Sequence, residues 1–291
     1  MIDLKNKKIV VTGGTGFIGS RIVKALQEEG ANVFVSKEDI LDTEKMKEVF
    51  TDAWAVVHQA GLPPIPLSVK DPLASHRVNV TGTLSVFVAA RDAGVDRVIY
   101  ASSTTVYGKN PILPKVETLA LEPCSPYSLQ KAEVEMTAKL FYELYGLQTI
   151  GLRYSNVYGE NQDLTASYVP VVAKFISLLK EGKSPQIFGD GKQLRDFIFV
   201  DDIADANVLA LQSEQGFGGV YNIGYGSSIS LIELVEKLNT LLGTDIKPDF
   251  FPMRAGDNPD SVIDIGKAKK DFGYSPKVTL EDGLRRTINS M

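Results

Sequence analysis

The sequence predicts an α/β protein: a doubly wound parallel sheet carrying a smaller C-terminal lobe. Three observations lead there. Short β-branched runs alternate with longer helical patterns through the first half of the chain. A glycine-rich turn joins the first such run to the first helical stretch. The second half is less regular, as expected of a lobe packed on a sheet rather than part of it. Strands and helices in alternation make βαβ units, and right-handed crossovers then place helices on both faces.

Residues 8–12 (KIVVT) read as a buried strand and 17–29 as a helix. A strand follows at 32–36 (NVFVS), a helix at 43–50 and a third strand at 55–58. Residues 71–94 read as one long helical region, 97–102 (RVIYAS) as a strand, 127–145 as a helix and 148–153 as a return to strand. These runs are short and rich in β-branched residues, as strands of a βαβ series are. Further on, 167–181 reads as helix, 196–200 (DFIFV) as strand, 200–211 as helix, 220–223 as strand and 230–241 as helix. A Pro-, Gly- and Asp-rich stretch covers 251–260, and a last short helix starts at Leu280. With no repeat, low-complexity tract or long linker, the second lobe is expected to pack closely on the first, leaving a ligand cleft between them.

Composition narrows the function. Hydrophobic residues make up 44% of the 291 and charged residues 23%, enough to bury a core. The net charge of −5 argues against a nucleic-acid partner. A single cysteine, Cys124, excludes an intramolecular disulfide and any zinc site built on paired cysteines. The two histidines, His58 and His76, read as structural, and no metal is expected. No apolar run approaches the about 18 residues of a membrane span, and the N-terminus lacks a signal-peptide layout, so a cytoplasmic location is expected.

Thr12-Gly13-Gly14-Thr15-Gly16-Phe17-Ile18-Gly19 joins the first strand to the first helix. Glycines at 13, 16 and 19 let the chain turn tightly, bring backbone close to a pyrophosphate and let helix pack on strand. The free N–H groups of the helix N-terminus favour phosphate. An acid is expected at the end of the second strand for the adenosine ribose. Ser36-Lys37 stands there instead, and Lys37 is a cation able to accept a 2′-phosphate, so NAD and NADP both remain open.

Tyr127 and Lys131 are four residues apart and share one helix face. A free phenol, with a pKa near ~10, is a poor base at neutral pH. An ammonium beside it, with a positive nicotinamide, is expected to lower that value so that Tyr127 takes a proton from an alcohol. Ala101-Ser102-Ser103-Thr104-Thr105-Val106-Tyr107-Gly108 follows the strand at 97–102, at the sheet edge where such folds bind ligands.

The Gly-x-x-Gly-x-x-Gly spacing resembles that of the extended short-chain dehydrogenase/reductase superfamily, whose fold is the Rossmann fold. The segment from Ser102 to Gly108 resembles the Ser-Ser-x-x-Val-Tyr-Gly motif of its nucleotide-sugar epimerases. The resemblance covers nearly the whole chain: His58-Gln59-Ala60-Gly61, Asn79-Val80-Thr81-Gly82-Thr83, Leu152-Arg153-Tyr154-Ser155-Asn156, Arg195-Asp196-Phe197 and Arg254-Ala255-Gly256-Asp257 each match a family segment. It implies that Ser103, Tyr127 and Lys131 are catalytic. It implies a cofactor site made by Gly13, Gly16, Phe17, Ile18, Gly19, Ser36, Lys37, the adenine-cradling pair Asp39-Ile40, Gln59, Ala60, Gly61, Asn79, Ser102 and Tyr154, with Tyr127 and Lys131. It implies a nucleotide-sugar site made by Ser103, Thr104, Asn156, Tyr168, Val169, Arg195, Arg254, Asp257 and Ser261, the arginines being guanidinium forks suited to a diphosphate. The expected division is a dinucleotide-binding domain over 1–157, with 195–223 returning to it, and a substrate-binding lobe over 158–194 and 224–291.

Departures from the pattern choose among subfamilies. Dehydratases of this superfamily carry Asp-Glu where Thr104 and Thr105 stand here, decarboxylases keep a glutamate at Thr105, and 3,5-epimerase/4-reductases place a cysteine there. What survives is a base, a hydride carrier and a sugar-nucleotide clamp, which suffices for 4-epimerisation as in the UDP-glucose 4-epimerase family. UDP-glucose/UDP-galactose with bound NAD is the first expectation, and a net NAD(P)-dependent nucleotide-sugar reductase the alternative. Two small residues, Ser155 and Ser261, are expected at one sugar pocket, leaving room for a 2-acetamido group. A homodimer is expected through the helices after Asn79 and from Tyr127, whose outer faces would include Phe87, Leu140 and Tyr145.

Overall fold

The computed structural model describes residues 1–63, 65–162, 169–253 and 260–291. It opens with β1 (Lys8–Thr12), α1 (Phe17–Glu28), β2 (Asn32–Ser36), α2 (Thr43–Phe50) and β3 (Ala55–His58). Then come α3 (Ile65–Lys70), α4 (Pro72–His76), a wide π-helical turn over Arg77–Gly82, α5 (Thr83–Asp92), β4 (Arg97–Ser103), a 3-10 turn (Thr104–Tyr107), α6 (Pro126–Tyr145) and β5 (Gln148–Tyr154). The second half holds β6 (Asn156–Tyr158), α7 (Val171–Lys180), β7 (Gln186–Phe188), β8 (Leu194–Arg195), β9 (Phe197–Phe199), α8 (Val200–Gln212) and β10 (Gly219–Ile223). It ends with β11 (Ile229–Ser230), α9 (Leu231–Leu242), β12 (Asp249–Phe251), α10 (Gly266–Phe272) and α11 (Leu280–Asn289).

Among the described residues, six strands make one parallel sheet in the order β10-β5-β4-β3-β1-β2. Alternation along β1 shows why both faces are covered. Ile9 and Val11 join a cluster with Ile22 and Leu26 of α1 and Ile203 and Leu211 of α8. Val10 joins the opposite cluster, with Met46 and Phe50 of α2, Val86 and Phe87 of α5 and Phe141 of α6. The sheet is therefore doubly wound, as the sequence predicts. A third cluster gathers Phe175 and Ile176 of α7, Ile187 of β7, Leu234 and Leu238 of α9 and Leu284 of α11. We propose the expected division into a 1–157 unit with 195–223 returning and a lobe over 158–194 and 224–291; β10 at the sheet edge and the separate third cluster support it.

The helix expected at 127–145 owes its sharp ends to its caps. Ser125 Oγ accepts from Ser128 N–H at 3.2 Å, Ser128 Oγ accepts from Ser125 N–H at 2.9 Å, and Pro126 begins the first turn. Gly146 closes the helix at φ +71°, in the left-handed region glycine tolerates best.

The region expected as one helix over 71–94 differs. It is α4, the π-helical turn and α5 in succession. The wide turn carries Asn79, whose amide donates to Leu62 O at 3.0 Å and accepts from Leu62 N–H at 2.7 Å, tying the segment to the loop after β3. The strand expected at 196–200 is β9 alone, and Val200 already begins α8. Phe87 is not on an outer face: it is fully buried between the Tyr100 and Phe141 rings, each 5.6 Å away. Leu140 and Tyr145 are about half exposed, at 51% and 52%. Among the described residues no helix is long and apolar enough to cross a membrane.

Candidate active site

The glycine turn lies against the loop that follows β3. Gly13 has φ +68°, and a Cβ on it would lie 2.6 Å from Ala60 N. A Cβ on Gly19 would collide with Gly13 O, so the first turn of α1 can approach the strand only as glycine. Gly16 precedes α1 in an extended conformation with no side-chain cap, leaving the first N–H groups of the helix available. A cavity of about 410 Å³ opens above this backbone. A side chain would fill the cradle and a phosphate would satisfy the N–H groups, so these residues fit a dinucleotide.

The cavity brings together Gly13, Gly16, Phe17, Ile18 and Gly19 from the turn and α1, with Gln59, Gly61 and Asn79 from the facing loop and π-helical turn. Ser102, Ser103, Tyr127, Lys131 and Tyr154 close its far side. Leu62, Pro63, Ala101, Ser155 and Val157 also line it, outside the sequence-predicted set. It does not extend to Ser36, Lys37, Asp39, Ile40 or Ala60. Ser36 stands beside Thr12 at the carboxyl end of the sheet, and Lys37 is exposed just past it. The Asp39 carboxylate accepts from Leu41 N–H at 3.0 Å, and Ile40 is buried against Gly82.

His58 acts within the wall. Its Nδ1 lies 2.7 Å from Thr12 Oγ1 and its Nε2 2.9 Å from Thr83 Oγ1. Thr83 already donates its hydroxyl to Asn79 O at 2.7 Å. His58 Nε2–H must therefore donate to Thr83, and in the neutral ring that burial favours Nδ1 accepts from Thr12. Burial, helped by Lys131, pulls its pKa down to about 3. His76 is exposed, 3.3 Å from Glu133.

Three side chains meet at the carboxyl end of β4. Thr105 donates to Ser103 Oγ twice, from N–H at 3.2 Å and from Oγ1 at 3.0 Å, which directs the Ser103 proton to its other partner, the Tyr127 phenol. Lys131 Nζ donates to Ala101 O at 2.8 Å. The expectation that Lys131 lowers the Tyr127 pKa is not met in this arrangement. Burial pushes the phenol up to about 12 and only the Ser103 hydrogen bond draws it back, while the ammonium lies 5.8 Å from the ring centroid and is held on a carbonyl. Burial likewise pulls Lys131 down to about 8, with Glu135 opposing.

A second cavity, of about 210 Å³, brings together Thr104, Asn156, Val169, Arg195 and Ser261. Asn156 Nδ2 donates to Asp196 O at 3.0 Å and Arg195 Nη1 to Leu194 O at 2.9 Å. Asp196 itself accepts from Tyr225 and Gly226 N–H at 2.8 and 2.7 Å and shapes that loop rather than the cavity. Ser155 and Ser261 do not share one pocket: Ser155 faces the first cavity and gives its hydroxyl to Asp196 O at 2.8 Å, whereas Ser261 lines the second. Tyr168, Arg254 and Asp257 lie outside the described residues.

Sequence reasoning missed Lys174 and Gln193, both in the second cavity. Lys174 Nζ donates to Gln186 at 3.3 Å, while Gln193 Nε2 donates to Phe188 O at 2.7 Å and its Oε1 is buried without a partner. It also missed Glu135, four residues beyond Lys131, although helical spacing could have found it. Among the described residues no cluster of His, Cys, Asp and Glu is placed to hold a metal.

The doubly wound sheet and its glycine-floored cavity define a dinucleotide-dependent enzyme of the short-chain dehydrogenase/reductase kind. The pattern of the NAD dependent epimerase/dehydratase family matches residues 9–224, and the chain belongs to that family. NAD is accordingly the cofactor. The UDP-glucose 4-epimerase of Mycolicibacterium smegmatis is 34% identical over 306 residues, covering 97% of each chain. Among solved structures, the UDP-N-acetylglucosamine 4-epimerase of Methanobrevibacter ruminantium M1, in complex with UDP-N-acetylmuramic acid, is 38% identical with a TM-score of 0.91, covering 98% of both chains. The UDP-glucose 4-epimerase of Thermotoga maritima, with UDP-glucose, is 35% identical with a TM-score of 0.92, covering 97% of this chain and 98% of that one.

Proposed function

We propose that the chain is a UDP-sugar 4-epimerase that interconverts UDP-glucose and UDP-galactose and also admits their N-acetylated counterparts. The observation that carries this is the meeting of Ser103, Tyr127 and Lys131 on the wall of a glycine-floored cavity, with only Thr104 and Thr105 where proton carriers for dehydration would stand. The relatives named above act on UDP-glucose and UDP-N-acetylglucosamine, which supports the UDP-sugar class and both sugars.

When bound, NAD supplies the site that takes up and returns hydride, and a positive ring beside the phenol. The N-terminus of α1 holds the diphosphate of the dinucleotide through backbone N–H groups after Gly16. Lys131 holds the nicotinamide ribose. Ser103, its own orientation set by Thr105, hydrogen-bonds the C4 oxygen of the sugar and places its proton against Tyr127. Tyr127 Oη, as the phenolate, takes that proton to become the phenol and later returns it to the same oxygen, so the phenolate is restored in each cycle. On the other side Arg195, Lys174 and Asn156 bind the sugar nucleotide's diphosphate, and the unpartnered Gln193 Oε1 is an acceptor for a nucleoside hydroxyl or N–H.

The enzyme acts as a homodimer through the α6 face on which Leu129, Met136, Leu140 and Leu144 stand exposed at helical spacing. A monomer mass by light scattering at micromolar concentration would refute that assembly. The activity is tested by incubating the protein and NAD with UDP-, GDP- and dTDP-sugars and separating the products. A 4-epimer formed with no net absorbance change at the reduced-nicotinamide band is the expected result. Net cofactor consumption would replace epimerisation with reduction.

A further inference from the structure

Tyr127, Lys131 and Glu135 stand at positions i, i+4 and i+8 of α6, and so on one face. That face grips the end of β4 residue by residue. Lys131 holds the Ala101 carbonyl at 2.8 Å, Glu135 Oε1 accepts the Ser102 hydroxyl, and Tyr127 is the partner of Ser103. Glu135 is only 7% exposed and is itself fixed from β5. Arg153, the cross-strand neighbour of Ser102, donates from Nε to Oε1 at 2.8 Å and from Nη2 to Oε2 at 2.6 Å. The remaining arm of the guanidinium donates to Tyr107 Oη at 2.8 Å, which donates in turn to Asn222 Oδ1 of β10 at 2.7 Å.

We infer that Glu135 is a positioning residue that, clamped by Arg153, fixes Ser102 beside the reacting serine and places a carboxylate on the same buried face of α6 as Lys131. The inference rests on the catalytic reading of Ser103 and Lys131 given above. A buried ion pair is a poor source of stability, since an apolar pair of equal volume serves as well or better. An apolar pair could neither accept from Ser102 nor place a negative charge one helical turn below the ammonium.

The other groups around Lys131 do not replace it. On β3, His58 is kept neutral by burial. On β4 the contact is the Ala101 carbonyl. On β5, Arg153 is committed to Glu135, and Tyr154 is a buried phenol bonded to Asn207 at 2.8 Å. The 3-10 turn offers Tyr107, already bonded to Arg153 and Asn222. Lys70, His76 and Arg77, on the elements packed across α6, are exposed. Burial pulls Lys131 down and Glu135 pushes it back, so removal of Glu135 releases the lysine proton at lower pH.

The test uses the full-length protein with NAD and whichever UDP-sugar the wild type turns over. Three variants are compared: Glu135→Gln, Glu135→Asp and the paired Glu135→Gln/Arg153→Met, which removes both buried charges together and so guards against simple unfolding. Glu135→Gln should lower kcat about tenfold or more, with sugar KM changed less, and should move the alkaline limb of kcat acidward by about one pH unit, while the pair, which loses one charge of each sign, should lower kcat with a smaller movement of the limb. Glu135→Asp should return the limb towards its wild-type place. Direct titration of Lys131 in lysine-labelled protein by NMR, assigned with Lys131→Arg, should show the same acid shift whether or not any sugar is turned over. An unmoved Lys131 titration in folded Glu135→Gln overturns the inference. Absence of wild-type turnover with a shifted Lys131 titration would overturn the catalytic reading and leave the counter-charge role standing.

Discussion

The two walls of the cleft are built by different means. The cofactor wall is mostly backbone: a glycine turn against the β3 loop, a helix N-terminus without a side-chain cap, and polar side chains such as His58 and Asn79 locked by two or more hydrogen bonds. The substrate wall is mostly side chain. Lys174 reaches into the second cavity from α7, Gln186 and Arg195 from strands of only two or three residues, and Gln193 from the loop before β8. A ligand common to a whole family can be met by backbone, which substitution hardly alters. A ligand that varies from one family member to the next is met by side chains that can be exchanged without disturbing the sheet.

Four measurements can break or sharpen that contrast. The largest effect is expected where the walls meet. Tyr127→Phe should lower kcat by about 10³- to 10⁴-fold while NAD affinity, measured by calorimetry, stays near wild type. Near-normal turnover would mean that the proton carrier is another group.

The second concerns the rigidity of the cofactor wall. His58 is neutral when folded, with its pKa pulled down to about 3, against about 6.5 when unfolded. Between those values the unfolded chain binds a proton that the folded chain does not. The contribution is whole above pH 6.5 and is lost as the pH falls towards 3, by up to about 5 kcal/mol. Urea midpoints from pH 7 to pH 4 should therefore fall more steeply in wild type than in His58→Gln. Parallel curves would show that the ring takes up its proton without cost.

Third, Gly19→Ala puts a methyl group against the Gly13 carbonyl. NAD affinity should drop about 100-fold, with the kcat of the NAD-saturated enzyme less affected. Unchanged affinity would show that the turn yields and is not the rigid backbone cradle described.

The smallest effect is expected on the substrate wall. Ser261, nearly buried beside Arg195, lines the second cavity. Ser261→Tyr should lower kcat/KM for UDP-N-acetylglucosamine several-fold relative to UDP-glucose, the scale of a steric change in one pocket. A constant ratio would remove Ser261 from sugar selection.

The contrast also governs what the sequence revealed. The order of β1 to β5 was legible because strands buried on both faces are continuously apolar, and because Ser125, Pro126 and Gly146 mark the ends of α6. The glycine turn was legible because only glycine fits there. The helices of the lobe, α7, α9 and α11, were legible too; its strands were not, because β7, β8, β11 and β12 each hold two or three residues and exist only through partners distant in sequence. No local pattern announces such a strand. Glu135 escaped notice for a related reason: its role depends on Arg153 and Ser102, which only the sheet register brings to it. Helical spacing shows that an ammonium is near Tyr127, but neither that the phenol is buried nor that a carbonyl holds the ammonium.

The place of β10 at the edge of the sheet bears on how the chain is made. β5 is buried in all but its first residue, and five of its residues pair with β10. A ribosome delivers β1 to β5 first and must continue past Ile223 before the covering strand exists. Until then the nascent chain presents a long apolar strand with unpaired N–H and C=O groups, the kind of edge that recruits other chains. Fragments cut after Tyr158 should thus collect as aggregates, while those extended beyond Ile223 stay dispersed. The late strand serves as the seam that seals the earlier five from their neighbours.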